Sequence, residues 1–359
     1  MDAYTGTRAP TTPLDTEALT AWLTRHVDGF AGPLEIAQFK GGQSNPTYKL
    51  TTPTGVYAMR TKPGPVAKLL PSAHAIEREY TVMKALANTD VPVPRMLALC
   101  EDESVIGRAF YLMEFMEGRV LWDQSLPGMS PAERGAIYTE MNRVIAALHN
   151  VAFAAVGLAA YGKPGNYFER QIGRWSKQYL ASITVANPAM DQLLAWLPAH
   201  IPASARDEDE VSIVHGDFRL DNMVFHPTEP RVIAVLDWEL STLGHPLADF
   251  SYHCMSWHIQ ASGAARGLGG RTDLAELGIP DERSYVRAYC ERTGRHDVDA
   301  VMKDWNFYLA YNLFRLAAIV QGIAKRAQDG TASNERAKEA GAAAVPLAEL
   351  GWQFAQRGH

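Results

Sequence analysis

The chain has 359 residues, a formal charge of −6, 47% hydrophobic and 21% charged residues. This is an ordinary globular composition, with enough length for two lobes that each bury a core. The acidic balance and the lack of a Lys/Arg cluster interleaved with aromatics argue against nucleic acid as a partner. Cys100, Cys254 and Cys290 are odd in number and far apart, which argues against a disulfide framework or a zinc site and for a reducing compartment.

In chain order, residues 1–14 are rich in Thr and Pro and read as disordered, without the basic and apolar regions of a signal peptide. Asp15 or Thr16 caps a helix to about Val27. Leu34–Phe39 and Thr47–Thr52 read as strands around Lys40-Gly41-Gly42-Gln43-Ser44-Asn45. A glycine turn of that kind lets backbone N–H groups approach phosphate, although a plain hairpin turn reads the same way. Val56–Arg60 is the next strand, with Lys62 on the same face as Arg60. Ser72 opens a helix with a buried stripe of Ile76, Tyr80 and Met83 and with Glu79 beside it. Val91-Pro92-Val93-Pro94 ends that helix and leads to further strand, and Phe110–Met116 is an apolar strand before Glu117-Gly118.

From Ser130 the pattern becomes helical, through Ile137, Met141, Val144, Ile145 and Leu148 to His149. Gly157–Pro164 mimics the phosphate loop G-x-x-x-x-G-K-[ST], but Pro164 replaces the hydroxyl and no strand precedes it. Gly267–Gly270 likewise lacks a preceding strand and reads as a loop. Asn166–Leu180 is expected to be a helix carrying Arg170, Arg174 and Trp175, and Ser204–Glu210 a solvated acidic loop.

Val211–Glu239 carries the chemistry. Val211, Ile213 and Val214 form a short strand that runs into His215-Gly216-Asp217; Asn222 follows five positions after Asp217. Met223–Phe225, a turn through His226–Pro230, and Val232–Leu236 then deliver Asp237 to a strand end. A carboxylate, an amide and a second carboxylate suit phosphoryl transfer. Asp217 fits the group that orients and deprotonates an acceptor hydroxyl; Asn222 and Asp237 fit ligands of a hard Mg²⁺ ion. Taken singly, each reads more readily as a turn residue of a buried hairpin. The set H-G-D-x-x-x-x-N, strand, turn, strand and D-W-E is hard to reach by accident.

That stretch resembles the catalytic core of the aminoglycoside phosphotransferase family, relatives of the protein kinases in which H-G-D stands for H-R-D. From about Phe39 to about Gly330 the chain is similar to the kinase-like domains that open the eukaryotic acyl-CoA dehydrogenase family members ten and eleven, and to their free-standing bacterial counterparts. The resemblance implies an α+β, protein-kinase-like two-lobe fold. Residues 1–30 are then an N-terminal tail and helix. Residues 31–116 are a nucleotide-binding lobe with a small antiparallel sheet and the hinge at its end. Residues 117–359 are a larger, mainly helical catalytic and substrate-binding lobe, with ATP and Mg²⁺ between the two.

The resemblance also implies roles. Gly41, Gly42, Ser44 and Asn45 belong to the phosphate flap. Arg60 stands where kinases carry lysine on the α/β-phosphates, with Lys62 as an alternative and Glu79 as the natural partner of Arg60. Backbone groups of Glu114 and Met116 face the adenine edge, and Arg219 lies near the transferring phosphate. His215 and Asp249 support the catalytic loop, and Glu239 meets the metals or the substrate. Leu240–Asp249 matches the family's G-D-P-x-x-D segment, with His245 where aspartate is common.

Only a short stretch separates Asp237 from Asp249, and no A-P-E element follows. This leaves no room for a segment that cradles a peptide, so a small hydroxylated acceptor is expected. The C-terminal lobe offers Arg170, Arg174, Arg315 and Arg326 rather than the many carboxylates that line the acceptor site of resistance enzymes. The resemblance to domains linked to acyl-CoA metabolism implies a hydroxylated acyl thioester as an acceptor beside an aminoglycoside-like one. Arg315 itself reads either as a satisfied core arginine or as a contact for an anionic substrate. Arg60 in the lysine position leaves a second reading, a nucleotide-binding pseudoenzyme. The apolar stretch Phe307–Ile323 is interrupted by Asn312, Arg315 and Gln321, so no membrane partner and a cytoplasmic location are expected. His253 and His258 read as packing residues, and oligomeric state is not legible.

Overall fold

A computed structural model of the chain describes residues 6–40, 45–63, 75–206, 210–261, 267–295, 297–330 and 341–357. It has two compact units, one of Met1–Val120 with Asn222–Leu240, the other of Leu121–Asp221 with Ser241–His359. The fold is α+β, with the larger sheet in the first unit and most of the helices in the second.

The first unit is built on a six-stranded sheet in the spatial order Thr7–Arg8, Glu35–Phe39, Thr47–Thr52, Gly55–Thr61, Phe110–Glu114 and Met96–Cys100. Every neighbouring pair is antiparallel. Alternation sets its faces: Tyr48 and Leu50 point inward from Thr47–Thr52, opposite Met59 and Tyr57. Asp15 caps the helix Thr16–His26 by accepting from the Ala18 N–H at 2.9 Å. That helix buries Leu19 and Leu23 against Val27, Phe30, Leu50 and Leu112, and each buried leucine contributes about 2 kcal/mol.

The helix Ile76–Leu86 buries Ile76, Glu79, Val82, Met83 and Leu86. Tyr80, expected in the buried stripe, is only half-buried, and Glu79 takes the inward position instead. A carboxylate is tolerated there because Arg60 meets it, as described below. Ser72, expected to open this helix, lies outside the described residues.

A second sheet in the same unit pairs Arg119–Val120 with Met223–Phe225 and the latter with Val232–Val235, all antiparallel. Gly118 permits the approach, since a Cβ there would sit 2.2 Å from the Phe225 carbonyl oxygen. The strand Ser212–Val214 does not join this hairpin. It pairs with Thr242–Gly244 in the second unit.

In the second unit, Ser130 and Glu133 form a capping box on the helix Pro131–Asn150, which buries Ile137, Met141, Val144, Ile145 and Leu148. Gly157–Pro164 is a turn-rich connection with no strand of its own. Ala203–Arg206 is a short 3-10 turn, and Glu210, expected to be solvated, is half-buried with its carboxylate 3.8 Å from Arg295. The helix Trp305–Gln328 packs on Ala344–Gln356, Tyr167–Leu180 and Pro246–Cys254. It is the one helix among the described residues long and apolar enough to cross a membrane, but 78% of its apolar window is buried in the protein. Its polar residues have internal partners: Asn312 Nδ2 donates to the Ala248 carbonyl at 3.0 Å and to Ser251 Oγ at 2.8 Å.

Candidate active site

In the first unit, three carboxylates meet around Arg60. Strand pairing sets Arg60 between Thr47 and Tyr111. Its Nε lies 3.1 Å from Glu79 Oε2, and its Nη2 lies 2.6 Å from Asp237 Oδ1 and 3.5 Å from Glu239 Oε2. Glu79 has no solvent exposure and also accepts from Asn45 Nδ2 at 2.9 Å and from the Tyr111 hydroxyl at 3.2 Å. Asn45, expected in the phosphate flap, is itself fully buried with its amide turned onto Glu79. Gly41, Gly42 and Ser44 lie outside the described residues.

Period two puts Lys62 on the face of Arg60, yet Lys62 pairs with Glu77. Glu77 and Glu79 are two apart on a helix and so point in different directions, which separates the two cations. Burial works against the charge on Arg60, but Glu79 and Asp237 outweigh it and hold the guanidinium above its usual range. Burial pushes the Glu79 carboxyl up to about 7 against the pull of Arg60.

A raised folded-state value means that the folded chain binds this proton more tightly than the unfolded chain. Stability from this group is therefore full at low pH and falls as pH rises from 4.5 towards about 7. The shift corresponds to roughly 3 kcal/mol. Glu79→Gln should flatten the fall in urea-unfolding free energy over that window relative to wild type, and identical slopes would exclude the assignment.

Asp237 has φ of +66°, a left-handed backbone that costs a non-glycine residue about 1 kcal/mol and that recurs at functional sites. Its side chain is a third exposed. The Leu236 N–H donates to the Asn222 carbonyl at 2.8 Å, which ties the two residues through neighbouring strands. Both side chains carry oxygen donors, a type that would suit a hard divalent cation. Glu114 ends its strand with its N–H bound to the Arg95 carbonyl at 2.9 Å, and Met116 lies half-buried two residues on.

In the second unit, Asp249 organises the H-G-D turn. Its Oδ2 accepts from the His215 N–H at 2.7 Å and its Oδ1 from the Gly216 N–H at 2.8 Å. Gly216 has φ of +81°, which only glycine adopts without strain. The Asp217 N–H donates to His215 Nδ1 at 3.2 Å, closing the turn on itself. His149 Nε2 lies 3.3 Å from Asp249 Oδ2, while the Tyr289 hydroxyl lies 2.7 Å from His149 Nδ1. Burial would raise the Asp249 carboxyl, but His149 and His215 outweigh it and hold it below the usual range. Burial likewise pulls the His149 imidazole down, despite Asp249.

Asp217 Oδ1 accepts from the Tyr252 hydroxyl at 2.6 Å and lies 3.1 Å from Arg219 Nε. Arg219 also reaches Asp221 Oδ2 at 3.1 Å. Arg315 is buried, donates to the Gly216 carbonyl, and stands over the rings of Tyr252 at 4.9 Å and Trp175 at 5.6 Å. Of the two sequence readings of Arg315, these internal contacts match a core arginine. His253 lies 2.9 Å from the Tyr285 hydroxyl, and His258 pairs with Glu282 at 2.8 Å. Sequence reasoning missed Tyr252 and His149. For Tyr252 a signal was present, since it follows Asp249 by three and shares its helix face.

Chemically, the first unit offers an array of one guanidinium and three carboxylates, with carboxylates in excess, and the second a carboxylate fixed on a rigid turn. Residues 35–288 match the model of the phosphotransferase enzyme family. Acyl-CoA dehydrogenase family member 10 of Mus musculus is 48% identical over 327 residues, which covers 91% of this chain and 30% of that protein. The chain spans less than half the length of the curated relatives it matches. A solved protein of Ralstonia eutropha JMP134, assigned as an aminoglycoside phosphotransferase, is 64% identical with a TM-score of 0.87, covering 97% of this chain and all of that one. An aminoglycoside phosphotransferase mutant solved with ADP and hygromycin B superposes with a TM-score of 0.61 at 14% identity, over 93% of this chain and 97% of that one. That likeness is one of fold, the α+β, protein-kinase-like two-lobe architecture. With most of its length inside the family model and a 64% identical relative matched end to end, the chain belongs to the phosphotransferase enzyme family.

Proposed function

We propose that the protein transfers the γ-phosphoryl group of ATP to a hydroxyl of a small molecule. The observation that carries this reading is the H-G-D turn pinned by Asp249, with Asp217 presented at its end. Asp217 accepts the proton of the acceptor hydroxyl, and Arg219 steadies its charge. Arg60 takes the kinase lysine's place on the phosphates, where a guanidinium grips with two donors but is bulkier than an ammonium. Asn222 and Asp237 hold Mg²⁺, which when bound neutralises phosphate charge. Gly41, Gly42, Ser44 and the backbone of Asn45 cover the phosphates. Glu114 and Met116 line the adenine edge, and Glu239 assists the metal or the acceptor. Nucleotide binding is assigned to residues 31–116, and catalysis and acceptor binding to 117–359.

The relatives' link to acyl-CoA chemistry favours a hydroxylated acyl thioester as acceptor over an aminoglycoside. The three cysteines are free and buried, which suits a reducing, cytoplasmic setting. A screen of hydroxyacyl-CoAs, aminoglycosides, choline and sugars for acceptor-dependent ADP formation tests the reading, with mass spectrometry to find the added phosphoryl group. Turnover is expected on a hydroxyacyl-CoA; turnover on none sinks the enzyme reading. A second reading, a nucleotide-binding pseudoenzyme, is favoured by the Arg60–Asp237 pair, which occupies a carboxylate assigned to the metal. Nucleotide-dependent thermal stabilisation without turnover would support it.

A further inference from the structure

We infer that Tyr252 and Arg315 are positioning residues for phosphoryl transfer: Tyr252 fixes the Asp217 side chain, and Arg315 fixes the main chain that precedes it. The inference deepens the proposed function and rests on Asp217 being the base.

A carboxylate that takes a proton must present its oxygen within hydrogen-bond reach of the acceptor, yet a free aspartate turns about two side-chain bonds. Two donors, the Tyr252 hydroxyl at 2.6 Å and Arg219 Nε at 3.1 Å, meet on the same oxygen, Oδ1. They are not equivalent. The Arg219 side chain is 47% exposed and shared with Asp221, so it holds its geometry loosely. Tyr252 is buried on the helix Pro246–Cys254, every residue of which is buried, so its hydroxyl is the rigid donor. Burial and the Asp217 charge both push the Tyr252 hydroxyl up, so it keeps its proton and remains a donor at neutral pH.

Arg315 acts one residue earlier. It donates to the Gly216 carbonyl, while Asp249 takes the Gly216 N–H. The peptide unit on each side of Gly216 is therefore held by a buried charge, which fixes the direction in which Asp217 leaves the turn. The same guanidinium lies 4.9 Å from the Tyr252 ring centroid, so one cation braces both the backbone and the side-chain donor. The same helix that carries Tyr252 carries Asp249, so the donor and the brace move as one body.

Tyr252→Phe removes only the hydroxyl and is the sharper test. With MgATP and a hydroxyacyl-CoA as probe, kcat should fall about 10-fold, the worth of one well-made hydrogen bond, with the KM for ATP unchanged. Placed on Asp217→Asn, the same change should have little further effect, because the group it orients is no longer a base. Arg315→Lys keeps the charge but loses the fork, and should lower kcat less than Arg315→Met. Wild-type kcat in Tyr252→Phe beside an inactive Asp217→Asn would overturn the inference and leave the proposed function intact. An equal loss with and without the Asp217 carboxylate would also overturn it, since that marks a purely structural role. Full activity in Asp217→Asn, or no ADP formation by wild type with any acceptor, would overturn the proposed function and this inference with it.

Discussion

Replacing Asp217 with asparagine is expected to lower phosphoryl transfer by about 10²–10⁴-fold and to leave the fold in place. Asparagine matches the aspartate in shape and keeps a carbonyl oxygen for the Tyr252 hydroxyl, but it cannot take a proton at neutral pH. The Asp217 side chain retains some solvent access, and its partner Arg219 is half exposed, so losing the ion pair costs the fold little. The measurement is acceptor-dependent ADP formation beside far-ultraviolet circular dichroism and urea unfolding. A folded Asp217→Asn variant with turnover within threefold of wild type would remove this residue from the chemistry. Binding of ATP should be nearly unaffected, because the carboxylate is assigned to the acceptor and not to the nucleotide.

Local chemistry made much of the fold legible. Capping by Asp15, the helix start at Ser130, the strand Thr47–Thr52, and the helical stripe from Ile137 to Leu148 are all decided within a few residues of sequence. The candidate site was legible where the motif spacing is itself local, as in the H-G-D turn and the delivery of Asp237 to a strand end. It was illegible where a partner comes from a distant helix. Period two could not choose between Arg60 and Lys62, because both point the same way from the strand; the choice is made by the helix, which turns Glu79 inward and Glu77 outward. Arg315 had two readings for the same reason, since its partners, Gly216, Tyr252 and Trp175, lie 63 or more residues away in sequence. The strand Ser212–Val214 looked continuous with the hairpin that follows it, yet it pairs with Thr242–Gly244. Three residues cannot record which edge they will join.

Asp249→Ala should be the most destabilising single change among the site residues, by roughly 3–6 kcal/mol. The carboxylate is almost fully buried and accepts from the His215 and Gly216 N–H groups at 2.7 and 2.8 Å, with His149 Nε2 at 3.3 Å. Truncation orphans two buried backbone donors, each worth about 1–3 kcal/mol, and leaves a void the size of a carboxyl group. Asp249→Asn should lose less, because its carbonyl still serves one N–H while its amino group faces the other. The pH dependence gives an independent check. Asp249 and His149 both sit below their ordinary values in the folded chain, so the unfolded chain takes up each proton first. Stability from the pair is full above about 6.5, weakens below it as unfolded His149 protonates, and is lost further as pH falls through 3.8, where unfolded Asp249 protonates. In Asp249→Ala the lower phase should vanish, and the upper one should remain, since His149 loses the carboxylate that favoured its charged form. An Asp249→Ala protein that unfolds at the wild-type urea midpoint at neutral pH would mean that other groups satisfy the two N–H donors, and that the turn carrying Asp217 is not held by this carboxylate.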